Sequence, residues 1–150
     1  MPATDDEFLR QLRDGVTTTS AGGTRALAAR LAAALPPDRV LALHGNLGVG
    51  KTTFVQGLAR GLGINAAITS PTFNIFTLHR GGARSLVHLD AYRLENDRQV
   101  ESLMLEDFLE TPWCLAVEWP EKIAAWLPAS AWHLTLAIES EGRHRVRLAK

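Results

Sequence analysis

The sequence predicts an α/β fold of three layers. Its mixed sheet has a parallel centre and antiparallel edge strands, and helices lie on both faces. Three observations carry this. Val40-Leu41-Ala42-Leu43 is a short apolar strand run. It leads through Gly45-Asn46-Leu47-Gly48-Val49-Gly50-Lys51-Thr52 into Val55, Leu58, Ala59 and Leu62 at helical spacing. Cys114-Leu115-Ala116-Val117 is near-continuously apolar, as a strand covered on both faces requires. Finally, short strand patterns flank Gly81-Gly82 and Gly142, as in hairpins.

The elements follow in chain order. The first residues are polar and acidic and read as loose or as an edge strand. Thr17-Thr18-Thr19-Ser20 offers caps for a helix whose face is Leu27, Leu31 and Leu35, and Pro36-Pro37 ends it. The strand at Val40, the glycine-rich loop and its helix come next, with Gly61 and Gly63 as the stop. A connection carrying Ile68-Thr69-Ser70-Pro71-Thr72-Phe73 precedes two strands, 73–79 and 84–89, and Asp90 closes the second. Residues 96–109 read as one helix with Val100, Leu103, Met104 and Phe108 on a single face, and Pro112 breaks it. The Cys114 strand ends in Glu118-Trp119-Pro120. A short helix through Ile123 and Trp126 stops at Pro128. Leu134, Leu136 and Ile138 alternate, and residues 143–148 return as the closing hairpin strand.

The chain has 150 residues, 46% hydrophobic and 21% charged, which suits one globular domain over 1–150. Formal net charge is zero, so nothing global points to nucleic acid or a membrane. The single cysteine, Cys114, excludes an internal disulfide and a multi-cysteine zinc site. There is no apolar run of membrane-spanning length and no secretory leader pattern, so the expected compartment is the cytoplasm. The five histidines show no metal-ligand spacing and read as structural or surface residues; His88, two residues from Asp90, stands apart. Arg143, Arg145 and Arg147 share one face of the last strand, either as charge defending an edge or as a docking strip.

The chemistry concentrates in the glycine-rich stretch, which fits the P-loop pattern G-x-x-x-x-G-K-[ST] and makes the fold P-loop NTPase-like. Its glycines let the backbone wrap a phosphate. The N–H groups from Asn46, Leu47, Gly48, Val49 and Gly50 through Lys51, Thr52 and Thr53 then converge into an anion nest. Lys51 would reach the β- and γ-phosphates of a nucleotide, and the Thr52 hydroxyl would hold Mg²⁺. Ligands of open α/β sheets bind beyond the carboxyl ends of the strands, where Asp90 and Glu118 fall. Such acids hold the metal or orient the attacking water. Thr72 is either a γ-phosphate sensor or part of a plain proline turn, and Trp119 either an aromatic wall near the nucleotide or a core residue.

Four stretches together resemble the bacterial TsaE family, the small ATPase of tRNA threonylcarbamoyladenosine (t6A) biosynthesis. They are residues 45–54, Ser70-Pro71-Thr72-Phe73, His88-Leu89-Asp90-Ala91-Tyr92-Arg93-Leu94 and Glu118-Trp119-Pro120, in family order and spacing. Asn46 departs from the pattern, where the family usually has Asp. The resemblance implies a cytoplasmic, Mg²⁺-dependent ATPase that is weak alone. It implies partners too: the threonylcarbamoyl-transferase subunit and its inactive paralogue, with tRNA met indirectly through the complex. It assigns Thr52 and Glu118 to Mg²⁺, makes Asp90 essential near the phosphates, and puts Ser20-Ala21 and the turn at Gly142 around the adenine. Three other readings compete. A small-molecule kinase usually closes a basic lid, and no arginine-rich lid is present. A GTPase would need an Asn-Lys-x-Asp motif, which is missing. A non-catalytic docking module gated by nucleotide is the serious rival, because no catalytic arginine is evident.

Overall fold

The computed structural model of the chain describes residues 4–46, 48–65, 67–69 and 75–149. Among these, seven strands form one sheet: β1 (Val16–Thr18), β2 (Arg39–His44), β3 (Phe76–His79), β4 (Ser85–Asp90), β5 (Trp113–Glu118), β6 (Trp132–Ser140) and β7 (Arg143–Leu148). Their order is β1-β7-β6-β2-β5-β4-β3. The four central strands β6, β2, β5 and β4 run parallel, and β3, β7 and β1 add antiparallel pairs outside them. The expected parallel centre and antiparallel edges are present.

Alternation along the strands builds two cores. Leu41, Leu43, Leu86, Ala116, Leu134 and Leu136 face one way, beneath α1 (Asp5–Asp14), α2 (Ala21–Ala34) and α3 (Lys51–Gly61). Val40, Val87, Leu89, Leu115 and Val117 face the other way, beneath α4 (Asp97–Glu101) and the 3₁₀ segments Leu105–Phe108 and Pro120–Ile123. Helices α2 and α3 pack at backbone distance. A Cβ on Gly57 would lie 2.3 Å from the Arg25 carbonyl oxygen, and one on Gly61 would lie 2.7 Å from that of Ala29.

Three expectations change. The acidic start is neither loose nor a strand: it is helix α1. Thr4 caps it by accepting from the Glu7 N–H, three acids fill its first turn, and Phe8 and Leu12 bury on the core. Second, the helix expected over 96–109 splits. Asn96 caps only the five residues of α4. Met104 takes a left-handed conformation, φ 53, and the chain resumes as 3₁₀. The split turns Met104 out to 58% exposure, while Val100, Leu103 and Phe108 stay on the core. Third, the arginine strand is not an edge. β7 lies between β6 and β1. Arg145 donates to the Asp14 carbonyl oxygen at 2.6 Å and lies 3.8 Å from Glu139. The expected strand over 73–79 is seen as β3 from Phe76; Phe73 lies outside the described residues.

Candidate functional site

Parallel pairing brings the key side chains to one border of the sheet. β2 pairs with β5, setting Leu43 opposite Glu118, and β4 pairs with β5, setting Asp90 opposite Glu118. The two strand-end acids are therefore neighbours, and the loop leaving β2 starts beside them. Two glycines shape that loop. At Gly45, φ is 151, and a Cβ would lie 2.6 Å from the Leu136 carbonyl oxygen on β6. At Gly50, φ is 97, a left-handed cap that starts α3 directly at Lys51.

Lys51 is buried, at 5% exposure. Its Nζ donates to the Gly45 carbonyl oxygen at 2.7 Å and sits 3.6 Å from the centre of the Trp119 ring. Burial holds its pKa below the ordinary lysine range; Glu118, Glu121 and Asp90 pull the other way. Trp119 takes φ 57, and its ring lies 5.1 Å from that of Tyr92. A cavity of about 400 Å³ lies between these parts. Gly48, Gly50, Lys51, Thr52 and Thr53 line it from the loop side, and Asp90, Glu118 and Trp119 from the strand ends.

Of the other expected residues, those that the structure describes are not among the lining of this cavity. The Val49 carbonyl oxygen accepts from His144 Nδ1 at 3.0 Å, which ties the loop to β7. Thr18 pairs with His144 in the β1–β7 ladder, so Ser20-Ala21 and the turn at Gly142 lie at that same border. Ser20 caps α2, accepting from the Gly23 N–H at 3.0 Å. Asn46 is exposed. Leu47 and Thr72, with the rest of Ser70-Pro71-Thr72-Phe73, lie outside the described residues.

Two histidines carry more than the sequence indicated. His144 braces the loop. His88 is fully buried, with Nε2 2.6 Å from Glu118 Oε2. Only its nearness to Asp90 signalled the second; nothing local signalled the first. Among the described residues no group of three or more His, Cys, Asp or Glu side chains is placed to hold a metal. The cavity offers oxygen donors instead: the Thr52 hydroxyl and the Asp90 and Glu118 carboxylates. Such a set fits Mg²⁺, which takes one or two carboxylates and fills its shell with phosphate and water oxygens.

A glycine-rich loop joining a central parallel strand to a helix, with acids at the adjoining strand ends, defines a P-loop α/β protein. The sequence model described as "Threonylcarbamoyl adenosine biosynthesis protein TsaE" matches residues 18–147, and the chain belongs to the TsaE family. The tRNA threonylcarbamoyladenosine biosynthesis protein TsaE of Bacillus subtilis is 42% identical over 105 residues, covering 70% of this chain and 65% of that protein. Its namesake from a Synechocystis species is 47% identical over 98 residues, covering 63% and 62%. The chain thus spans a little under two thirds of the length of these two relatives. The crystal structure of Bacillus subtilis YdiB matches with a TM-score of 0.75 at 30% identity, covering 89% of this chain and 82% of that one. Among the described residues no helix is long and apolar enough to cross a membrane.

Proposed function

We propose that the chain is a Mg²⁺-dependent ATP hydrolase serving formation of the threonylcarbamoyl group on the adenosine next to the anticodon of ANN-decoding tRNAs. It acts in the cytoplasm with the threonylcarbamoyl-transferase subunit and its inactive paralogue, and meets tRNA through that complex. One observation carries the reading: a single cavity gathers the loop residues Gly48, Gly50, Lys51, Thr52 and Thr53 and both strand-end acids.

The residues divide the work as follows. The loop N–H groups and the α3 dipole hold the β- and γ-phosphates. Lys51 exchanges the Gly45 carbonyl oxygen for phosphate oxygens. Thr52 and Glu118 hold Mg²⁺, which, when bound, neutralises charge developing on the phosphates. Asp90 orients the attacking water, and Trp119 walls the cavity. Ser20, Ala21 and Gly142 border the adenine. The described lining of the cavity contains no arginine. A P-loop site without that donor is slow, and a donor from another chain accelerates it by roughly 10³–10⁵. Tyr92, 57% exposed and beside Trp119, and the exposed Arg93 are the contact surface for that partner.

The test is ATP turnover by the purified chain, with and without the transferase pair. Stimulation by the pair is expected, and Lys51→Ala and Thr52→Ala should each abolish turnover. Near-normal turnover by either variant would sink the assignment. A second reading, a docking module gated by nucleotide, draws on the same missing arginine. It predicts tight nucleotide binding, nucleotide-dependent association with the pair, and no turnover in any mixture.

A further inference from the structure

His88 is fully buried on β4, and the hydrolysis proposed above gives it no task. Its ring reaches β5, where Nε2 lies 2.6 Å from Glu118 Oε2. The other ring nitrogen, Nδ1, is buried and has no hydrogen-bond partner among the described residues. A carboxylate only accepts, so the hydrogen in this contact sits on Nε2, and Nδ1 is left buried without a partner among the described residues. An unpartnered polar atom in a core is unfavourable. Its neighbours on this face include the apolar Leu86 and Ala116 as well as the polar Thr77 and Asp90, and an apolar side chain at 88 would avoid that cost. What the imidazole adds over such a side chain is its hold on Glu118. Glu118 is itself only 6% exposed on its side chain, yet it lines the cavity. With one lone pair of Oε2 engaged by His88, Oε1 is the freer oxygen for a ligand.

We propose that His88 is a positioning residue that makes Glu118 a one-oxygen ligand and so sets the cation preference of the site. Ca²⁺ favours bidentate carboxylates and six to eight ligands, whereas Mg²⁺ takes single oxygens in a tight octahedron and keeps its waters (typical ligand counts for these ions). A carboxylate pinned at one oxygen therefore suits Mg²⁺ and disfavours Ca²⁺. Hydrogen bonds behind a metal ligand commonly change metal affinity by about 10–100-fold when removed. This proposal rests on the Mg²⁺–nucleotide reading of the cavity.

The experiment measures binding of fluorescent ADP as Mg²⁺ or Ca²⁺ is titrated. The native chain should bind markedly tighter with Mg²⁺. His88→Leu should weaken Mg²⁺-dependent binding about tenfold and leave binding without divalent cation unchanged. It should also bring Ca²⁺ to within about threefold of Mg²⁺. His88→Gln, whose amide N–H stands where Nε2–H stood, should restore most of the Mg²⁺ dependence. In a Glu118→Gln background, His88→Leu should add no further loss, whereas a role in packing alone gives additive losses. Should His88→Leu fail to fold, the unbranched His88→Met replaces it. An unchanged Mg²⁺-to-Ca²⁺ ratio in a folded variant overturns the proposal and leaves the nucleotide site standing. A native chain that binds ADP without any divalent dependence overturns both.

Discussion

Lys51 is engaged with its own loop, so an incoming phosphate has contacts to displace. The ammonium sits 3.6 Å from the centre of the Trp119 ring. A cation so close to an indole perturbs its emission, and moving it away changes the signal. In a chain keeping Trp119 and carrying Phe at Trp113, Trp126 and Trp132, saturating ATP or ADP with Mg²⁺ should therefore shift Trp119 fluorescence. The same ligands added to the Lys51→Ala version should give a much smaller shift. Fluorescence indifferent to nucleotide in the first protein would contradict the exchange of partners. At this scale the sequence was informative where chemistry is local. Lys51, Thr52, Asp90 and Glu118 each stand inside a recognisable stretch, and the structure brings all four to one cavity. His144 was illegible because its partner, the Val49 carbonyl, is 95 positions away and backbone carbonyls leave no mark in a sequence. The His88–Glu118 contact needed the β4–β5 register, which side-chain patterns alone do not fix.

Helices were legible where a cap and a periodic face agree, and misread where one distracts from the other. In α1 the acids that suggested a loose terminus are the residues that suit a helix N-terminus, and the short face of Phe8 and Leu12 was overlooked. Around α4 the face was visible, but the sequence did not reveal the left-handed residue at Met104 that breaks it. The α2–α3 contact offers a clean test of how elements fit. Ala is favoured over Gly inside a helix by about 1 kcal/mol. At Gly57 that gain meets a Cβ 2.3 Å from the Arg25 carbonyl oxygen, and forcing such an overlap costs about 1–3 kcal/mol. Gly57→Ala should thus lower the melting temperature by a few degrees. Gly22→Ala, in the first turn of α2 with nothing nearer than 3.9 Å, should raise it or leave it unchanged. A stabilised Gly57→Ala protein would mean that the two helices can separate at no cost.

Across the whole molecule, half-buried histidines make stability depend on pH. His44 is held below its ordinary value of 6.5, first by burial and then by His133, whose Nδ1 lies 2.8 Å from its Nε2; Glu121 opposes this shift. His79 is lowered by burial and then by His88. A depressed folded pKa means that the unfolded chain binds more protons in that range. The contribution is therefore complete above about pH 6.5 and is lost as pH falls through the lower folded values. Urea unfolding should show a lower midpoint at pH 5 than at pH 7.5, and the gap should narrow when His44 and His79 are both replaced by Gln. A gap of the same size in that double variant would place the acid sensitivity elsewhere. The sheet was read correctly at this scale because a strand–loop–helix unit and two hairpins leave few mixed arrangements; strand order was not legible, since β1 pairs with β7, far along the chain. That meeting bears on how the protein is made. Synthesis delivers β1 early and β7 late, yet each needs the other. The glycine-rich loop leaves the ribosome 95 residues ahead of the imidazole that braces it. The nascent chain thus carries an unbraced loop and an unpaired first strand until β7 emerges, so β1 can join the sheet only then.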